Sequence, residues 1–442
     1  MEEIFNRVFN TFKEDADKIE IWVEHKHSVK FEKRKDYPLF KKESKFEEIT
    51  VRWLNEKGLC GISYTTSLEE DKLISAIFRA KFLSNKGLPE AYPPIEEYSY
   101  PEMKPLKLQL VSEEQAKQEL FAIEDFVLSL PKIEEIEKLS LSYGCYKYAL
   151  YRKDKMLFWE EPFYTFLISL VAKENGNRAS AWEWVNSVEF LCVDELKEKL
   201  SQAGKRAVYL ARGKKGKSLK TKVLLPPFVA TEFLEVLSFS LSGEEVIKGR
   251  SFLKGKLRQK VFSEKITILD DGILEKGIES RPFDDEGIPQ SRKVLIEKGE
   301  LKGYLSTYFW KEIAKKRGEE GFFIGCARRS GIGSGPKVGL TNFFVCKGNA
   351  KKQELINQDE VLEILEVLGM HTVDPISGNF SIGVSGVLYS KGEPVKYFKE
   401  LALSGNIFEL FQKVIEIGED FEFYGNLGSP SILVDKMDLG GR

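Results

Sequence analysis

The stretch FLEVLSF, Phe233 to Phe239, decides how the second half of the chain is read. It lies in LLPPFVATEFLEVLSFSLSG (Leu224–Gly243), which reads as a strand end, a proline pair, a helix and a glycine stop. Proline is tolerated in a first helical turn, where its missing N–H would have no partner, and glycine readily ends a helix. The only charge within the stretch is Glu235. A carboxylate in so apolar a stretch raises the question of whether the helix is an active site or the remains of one.

Downstream of residue 222 the pattern is mostly short β segments with acidic or glycine-rich turns. SEKITILDDG, KVLIEKGELKGYLS, GLTNFFVCKGN, NFSIGVSGVLYSKGEPVKYFKELALSGN and SPSILVDKMDLGG are examples, and several read as hairpins. Further helices are predicted near Gln358–Leu368 and over Ile407–Ile417. Residues 220–442 are therefore expected to form a mainly antiparallel β domain, barrel- or sandwich-like, with the helix Pro226–Leu241 buried in it.

Upstream, residues 1–210 read as an α+β domain. Residues 2–16 carry Ile4, Phe5, Val8, Phe9 and Phe12 at helical spacing. Residues 18–32 alternate as a strand, followed by FEEITVRWL and LCGISYTT as two more. Ser67 with Glu70 forms a capping-box pattern that would open the next helix. A loop with Pro89, Pro93, Pro94, Pro101 and Pro105 has tyrosines that would pack along a surface. The pattern then recurs: a helix from Ser112, the strand candidates IEKLSLSYG, CYKYALYRK, PFYTFLISLVAK and SAWEWVNSVEF, and a helix over Asp194–Ala211. Helix, strands, helix, twice over, suggests an internal duplication. The basic run ARGKKGKSLKTK (Ala211–Lys222) reads as a solvated linker or hairpin between the two domains. It lacks the interleaved aromatics of a nucleic-acid patch.

Composition excludes several function classes. The 442 residues are 42% hydrophobic and 31% charged with a net charge of −2, so no global field attracts nucleic acid or an anionic membrane. No apolar run reaches the ~18–20 residues of a membrane span. The N-terminal MEEIFNRVFNTFKED reads as an amphipathic helix rather than a signal peptide. Five scattered cysteines, Cys60, Cys145, Cys192, Cys326 and Cys346, fit reduced thiols in the cytoplasm. Abundant Lys and Glu hint at a thermophile.

Metal chemistry is bounded by three histidines, His25, His27 and His371. His25 and His27 share a strand face with no third ligand nearby, so hydrogen-bonded imidazoles are expected. His371 reads as the start of a strand. Asp270, Asp271, Asp284, Asp285 and Glu286 form two acidic turns, LDDG and FDDEG. Clustered carboxylates can hold Mg²⁺ or Ca²⁺. Asp-Gly and Glu-Gly pairs are also ordinary turn chemistry, which the missing EF-hand spacing favours. GCARRSGIGSGP (Gly325–Pro336) matches no phosphate-binding pattern. Its Arg328 and Arg329 could clamp a carboxylate or pair with the acidic turns.

Together these segments resemble the TldD/PmbA family, in particular its PmbA or TldE branch. The resemblance rests on LSGEEVIKGRSFLKGKL, ITILDDG, FDDEGIPQSRKVLIEKGELKGYL, GCARRS, GLTNFF, SGNFSIGVSGVLYSKGEPV, LALSGNIFELFQKVIEIGEDFEF and SPSILVDKMDLGG, in order. GLCGISYTTSLEEDKLISAIFRAKF extends it toward the N-terminus. Active members of that family are zinc metallopeptidases with a His-Glu-x-x-x-His helix and a Cys ligand near the C-terminus. The resemblance places the two histidine positions at Leu234 and Phe239 and the motif glutamate at Glu235. No Cys follows Cys346. It therefore implies a zinc-free chain without catalytic residues, zinc residing in a TldD-like partner. It also implies homodimers when alone and a role in assembly and in binding unfolded peptide, with Arg328, Arg329 and Asn342 as candidate contacts. Alternatives are an independent metallopeptidase using another metal site, such as the acidic turns, and a regulator associated with DNA gyrase.

Overall fold

The computed structural model describes residues 2–35, 37–153 and 155–441. It is mixed α+β, about 26% helix and 43% strand, with largely antiparallel sheets.

The N-terminal part is a single antiparallel sheet. In chain order come α1 (Glu2–Thr11), β1 (Ile19–Arg34), β2 (Tyr37–Leu54), β3 (Leu59–Thr65), α2 (Glu70–Ser84) and β4 (Leu88–Pro89). There follow α3 (Glu113–Ser129), β5 (Ile133–Arg152), β6 (Lys155–Glu174), β7 (Asn177–Ser187) and α4 (Val193–Arg212). The strand order is β4-β3-β2-β1-β5-β6-β7, so the two helix–strands–helix units meet at the central β1–β5 pair. Period-two alternation assigns the faces. Ile19, Ile21, Val23, Val29 and Phe31 of β1 point to one face, where α1 and α2 cover one half and α3 and α4 the other. Glu20, Trp22 and Glu24 point to the opposite face, toward the C-terminal part.

The C-terminal part is built around a closed five-stranded barrel. Its elements are β8 (Lys214–Lys215), β9 (Leu219–Leu225), α5 (Pro227–Ser238), β10 (Ile268–Asp271), β11 (Arg292–Glu297), β12 (Asn342–Val345), β13 (Val361–Leu368), β14 (Asn379–Ser390), β15 (Glu393–Asn406), β16 (Leu427–Ser429) and β17 (Ile432–Gly440). The barrel runs β17-β9-β13-β14-β15 and closes through pairing of Ala402 with Gly440 and Leu403 with Leu439. Phe233, Leu234 and Leu237 of α5 share one core with Val223, Ile364, Val384, Leu403 and Val434 of the barrel strands. β10, β11, β12 and β16 lie in a second sheet beside it.

Several local expectations are corrected. Residues 361–368 form a strand, not the helix predicted near Gln358–Leu368. Apolar residues at nearly every position of VLEILEVL fit either period, and backbone pairing with β9 and β14 decides for the strand. The helix predicted over Ile407–Ile417 stops at Gln412, and Val414–Ile417 pairs with β17. His371 sits in a 3₁₀ turn, Met370–Thr372. The first helix ends at Thr11 and gives way to a 3₁₀ turn over Lys13–Lys18. IEKLSLSYG and CYKYALYRK are one strand, β5, passing through Gly144. Ser67 does not cap α2; its Oγ accepts from the Glu69 N–H at 3.2 Å, in a turn ahead of the helix. The basic run is neither linker nor hairpin. It comprises the end of α4, edge strand β8 and the start of β9, with Lys215 paired to Glu400 and Lys220 to Asp438. His27 bonds Glu43 at 2.8 Å, as a hydrogen-bonded strand histidine should.

Gly61 in β3 marks a close approach. A Cβ there would lie 2.0 Å from the Ala80 carbonyl oxygen and 2.3 Å from the Ser84 nitrogen of α2. Both are backbone atoms, so the helix would have to move. Gly61→Ala is predicted to destabilise the protein by about 1–3 kcal/mol. Urea unfolding would show this, and an unchanged midpoint would contradict the packing described.

Candidate functional site

Two places gather the residues singled out from sequence. The first is α5. Leu234 is fully buried in the core, Glu235 is exposed, and Phe239 is half-buried at the start of a 3₁₀ turn. A cleft of about 390 Å³ lies over the outer side of the helix, lined by Glu232, Glu235, Phe239, Met370 and His371. The fold thus brings Glu235 and Phe239 together and turns Leu234 away. Glu232 and His371 were missed in the sequence. Glu232 was recoverable, because it lies three residues before Glu235 and so on the same helical face. His371 arrives from a distant turn and gives no local signal.

Burial and the neighbouring Glu235 push the Glu232 carboxyl up to about 7. β16 and residues 422–424 pack against α5, so FYGNLGSPS does approach the helix, and its Ser429 is fully buried. Zinc needs nitrogen, oxygen or sulfur donors, and the side chains of Leu234 and Phe239 have none. Among the described residues no three His, Cys, Asp or Glu side chains converge as a metal site. The residues present do not fit a zinc ion, so no catalytic step is derived through one.

The second place is the layer between the N-terminal sheet and the turns of the C-terminal part that carry residues 281–287 and Arg329. Glu20 is fully buried and lies opposite Arg52 on β2 and Arg152 on β5 in the strand register. It contacts Arg52 at 2.8 Å, Arg152 at 3.4 Å and, from the C-terminal part, Arg329 at 2.7 Å. Burial alone would raise its carboxyl, but the three arginines outweigh that and hold it at about 2. The proline- and tyrosine-rich loop closes the layer. Tyr92 sits beside Arg52 and Arg152, and Tyr100 donates to the Gly287 carbonyl at 2.9 Å.

The turn of Asp284, Asp285 and Glu286 is built into this layer, whereas Asp270 and Asp271, expected in a turn, end strand β10, where backbone pairing on both sides extends them. Asp284 accepts from the N–H groups of Glu286, Ile288 and Ala327, each at 2.9 Å. Asp285 pairs with Arg281 and accepts from the Arg329 N–H. Glu286 accepts from the Tyr308 N–H, and burial beside Asp284 raises its carboxyl well above the usual range. Asp270 accepts from the Thr341 N–H at 2.7 Å and faces Lys293; Asp271 accepts from the Ile273 N–H. Arg329 is therefore engaged and buried. Asn342 is 1% exposed, donating to the Asp271 carbonyl and Ser280 and accepting from the Glu279 N–H. Arg328, paired with Glu279 at 3.0 Å, is the most accessible of the three candidates.

Comparison with solved structures defines the fold. TldE of Thermococcus kodakarensis matches with a TM-score of 0.88 at 19% identity, covering 99% of this chain and 100% of that one. A Thermotoga maritima protein described as a modulator of a DNA gyrase matches with a TM-score of 0.86 at 22% identity, covering 99% and 100%. At such identities the likeness establishes the fold alone. Residues 218–441, just over half the chain, match the PmbA/TldA metallopeptidase C-terminal domain, and the chain belongs to the PmbA/TldD family. An uncharacterized protein of Methanocaldococcus jannaschii is 36% identical over 217 residues, 49% of this chain and 50% of that protein. A metalloprotease of the same organism is 31% identical over 278 residues, 62% of this chain and 60% of that protein. The matched region thus spans half to three fifths of these relatives.

Two predictions follow the charges. Glu20→Gln leaves three buried arginines short of their common partner and should cost about 3–5 kcal/mol in denaturant unfolding. Because the folded carboxyl lies at about 2 against an ordinary 4.5, the contribution of Glu20 is present above pH 4.5 and lost as pH falls toward 2. A near-neutral effect at pH 7 would mean the cluster is not structural. Glu232 has the opposite sign: a raised carboxyl disfavours the fold increasingly as pH rises from 4.5 through about 7. Glu232→Gln should therefore stabilise the protein at pH 8, on the order of 1 kcal/mol after solvent screening, and the gain should vanish below pH 4.5. A gain that persists in acid would refute the assignment.

Proposed function

We propose that this chain is a TldE-type, non-catalytic subunit of a TldD-like zinc peptidase system. It pairs with the zinc-bearing chain in the cytoplasm, shapes the chamber and helps bind unfolded peptide. The family's C-terminal domain is present, and the two ligand positions that the family resemblance implies fall on Leu234, packed into the core, and Phe239. A glutamate without a metal-activated water has no hydroxide to generate, so Glu235 is kept for a reason other than chemistry. The five free cysteines suit a reducing compartment, and among the described residues no helix is long and apolar enough to cross a membrane. Arg328, at the edge of the charged layer, is the candidate peptide contact; Arg329 and Asn342 support it as positioning residues. The alternative metal site at the acidic turns is less favoured, since those carboxylates are mostly committed to backbone N–H groups and basic side chains. Direct DNA contact through the basic run is disfavoured by its ion pairs and the net charge of −2.

The purified chain should hold well under one zinc per molecule by elemental analysis and should not cleave casein. Mixed with its TldD-like partner it should form a stable complex burying more than ~1,000 Å², and should form two-fold homodimers when alone. Glu235→Gln should leave turnover by the complex within about twofold of wild type, since a twofold change is only about 0.4 kcal/mol. Chelator-sensitive proteolysis by the chain alone, or a monomer that ignores the partner in sedimentation, would overturn the proposal.

A further inference from the structure

A cavity of about 310 Å³ lies between the open face of the N-terminal sheet and the turn carrying Arg281. That is the lower end of the ~300–1,000 Å³ typical of small-ligand pockets. Its floor comes from Glu24 on β1, Tyr146 and Tyr148 on β5, and Glu161 and Phe163 on β6. Strand register sets Glu24 opposite Tyr148 and Glu161 opposite Tyr146.

Two carboxylates of this cavity lack an ion-pair partner. Its arginines are engaged elsewhere, Arg281 with Asp285, Arg328 with Glu279, and Arg329 with Glu20, which it shares with Arg52 and Arg152. Glu24 and Glu161 remain, and among the described residues neither forms an ion pair. Burial pushes both carboxyls up to about 7. Asp285 and Glu48 add to this at Glu24 against Arg281 and Lys26, while at Glu161 Arg281 and Arg328 oppose and Glu279 adds. Hydrogen bonding is also incomplete. Glu161 Oε2, Asn186 Oδ1, and Nε and Nη1 of Arg281 are buried without a partner, and Arg281 is only 2% exposed. Native interiors leave few such groups, and here four of them border one cavity.

The missing complement is a cation for the two glutamates with an oxygen acceptor beside it for Arg281. The aromatic wall tolerates an ammonium: Lys26 Nζ already sits 4.6 Å from the Tyr146 ring centre and 5.0 Å from that of Phe163. An α-ammonium and its adjacent carbonyl carry this pattern. We infer that the cavity binds the amino terminus of a peptide, its ammonium held by Glu24 and Glu161 and its first carbonyl oxygen by Arg281. The inference rests on the peptide-binding part of the proposed function.

The test is calorimetry of the full chain at about pH 7.5, between the carboxyl values of about 7 and the ~7.7–8.0 of a peptide amine. The probes are tetra-alanine, N-acetyl-tetra-alanine and free alanine. Tetra-alanine should bind, and acetylation should weaken it at least about tenfold, since it removes the charge. Glu161→Gln and Glu24→Gln, both near-isosteric, should each weaken tetra-alanine by about tenfold or more while keeping the circular dichroism of the wild type. Having two variants guards against one that fails to fold. Equal binding of the acetylated peptide, full affinity in both variants, or no binding up to about 10 mM would overturn the inference. Free alanine binding as tightly as the peptide would also overturn it, in favour of a free amino acid. Zinc content and partner association are measured separately, so failure here leaves the subunit assignment standing.

Discussion

Glu20 fixes the relation between the two halves of the molecule. A buried carboxylate must be neutralised or paired, and it is paired with arginines from three separate segments. Arg52 and Arg152 come from the strands on either side of it, so the strand register alone would assemble that much. Arg329 comes from the barrel side, 309 residues away in sequence. Once its guanidinium is committed to Glu20, Arg329 donates its backbone N–H to the Asp285 carboxylate and a guanidinium N–H to the Asp285 carbonyl, drawing in the whole turn of Asp284, Asp285 and Glu286. The sheet face that would otherwise be open becomes an interior. Its charged side chains then have to satisfy one another.

Much of the architecture was legible in the sequence, for a physical reason. Long alternating strands such as β1 and amphipathic helices such as α3, with its Ser112 and Gln115 capping box, obey strong local rules. The α+β class, the doubled helix–strand pattern and the buried helix in a barrel-like domain could all be read from such rules and from the family segments. Failures fell where locality ends. VLEILEVL became a strand because of neighbours far along the chain. The even-numbered face of β1 carries no local signal of its partner, yet it is covered by turns of the C-terminal part, and Glu20 and Glu24 acquire their meaning only there. His371 reaches the α5 cleft by the same long-range route.

The α5 helix is placed by packing, whatever its outer face does. Its inner face needs only volume and apolarity to fill the barrel, and Phe233, Leu234 and Leu237 supply both. A histidine at position 234 would require a partner in a core that offers few, so a metal site here would have to be supported by further changes around it. The outer face keeps two carboxylates one turn apart, and burial beside Glu235 makes the ionised Glu232 costly. Retaining Glu232 beside Glu235 disfavours the isolated chain.

Closure of the barrel by β17 also imposes an order on synthesis. β9 emerges from the ribosome early, yet it lies between β13 and β17, the last strand to be made. Its parallel pairing with β13 must wait for a long crossover, and its other edge must wait for the end of the chain. The N-terminal sheet, built from hairpins apart from the β3–β4 pair joined through α2 and the central β1–β5 pair, has no such delay. Non-local pairing is slow, and domains generally fold as units as the chain is made. A nascent chain therefore carries a finished sheet whose arginines and Glu20 face water, alongside an unpaired β9. Chaperone capture and truncation damage should concentrate in that interval.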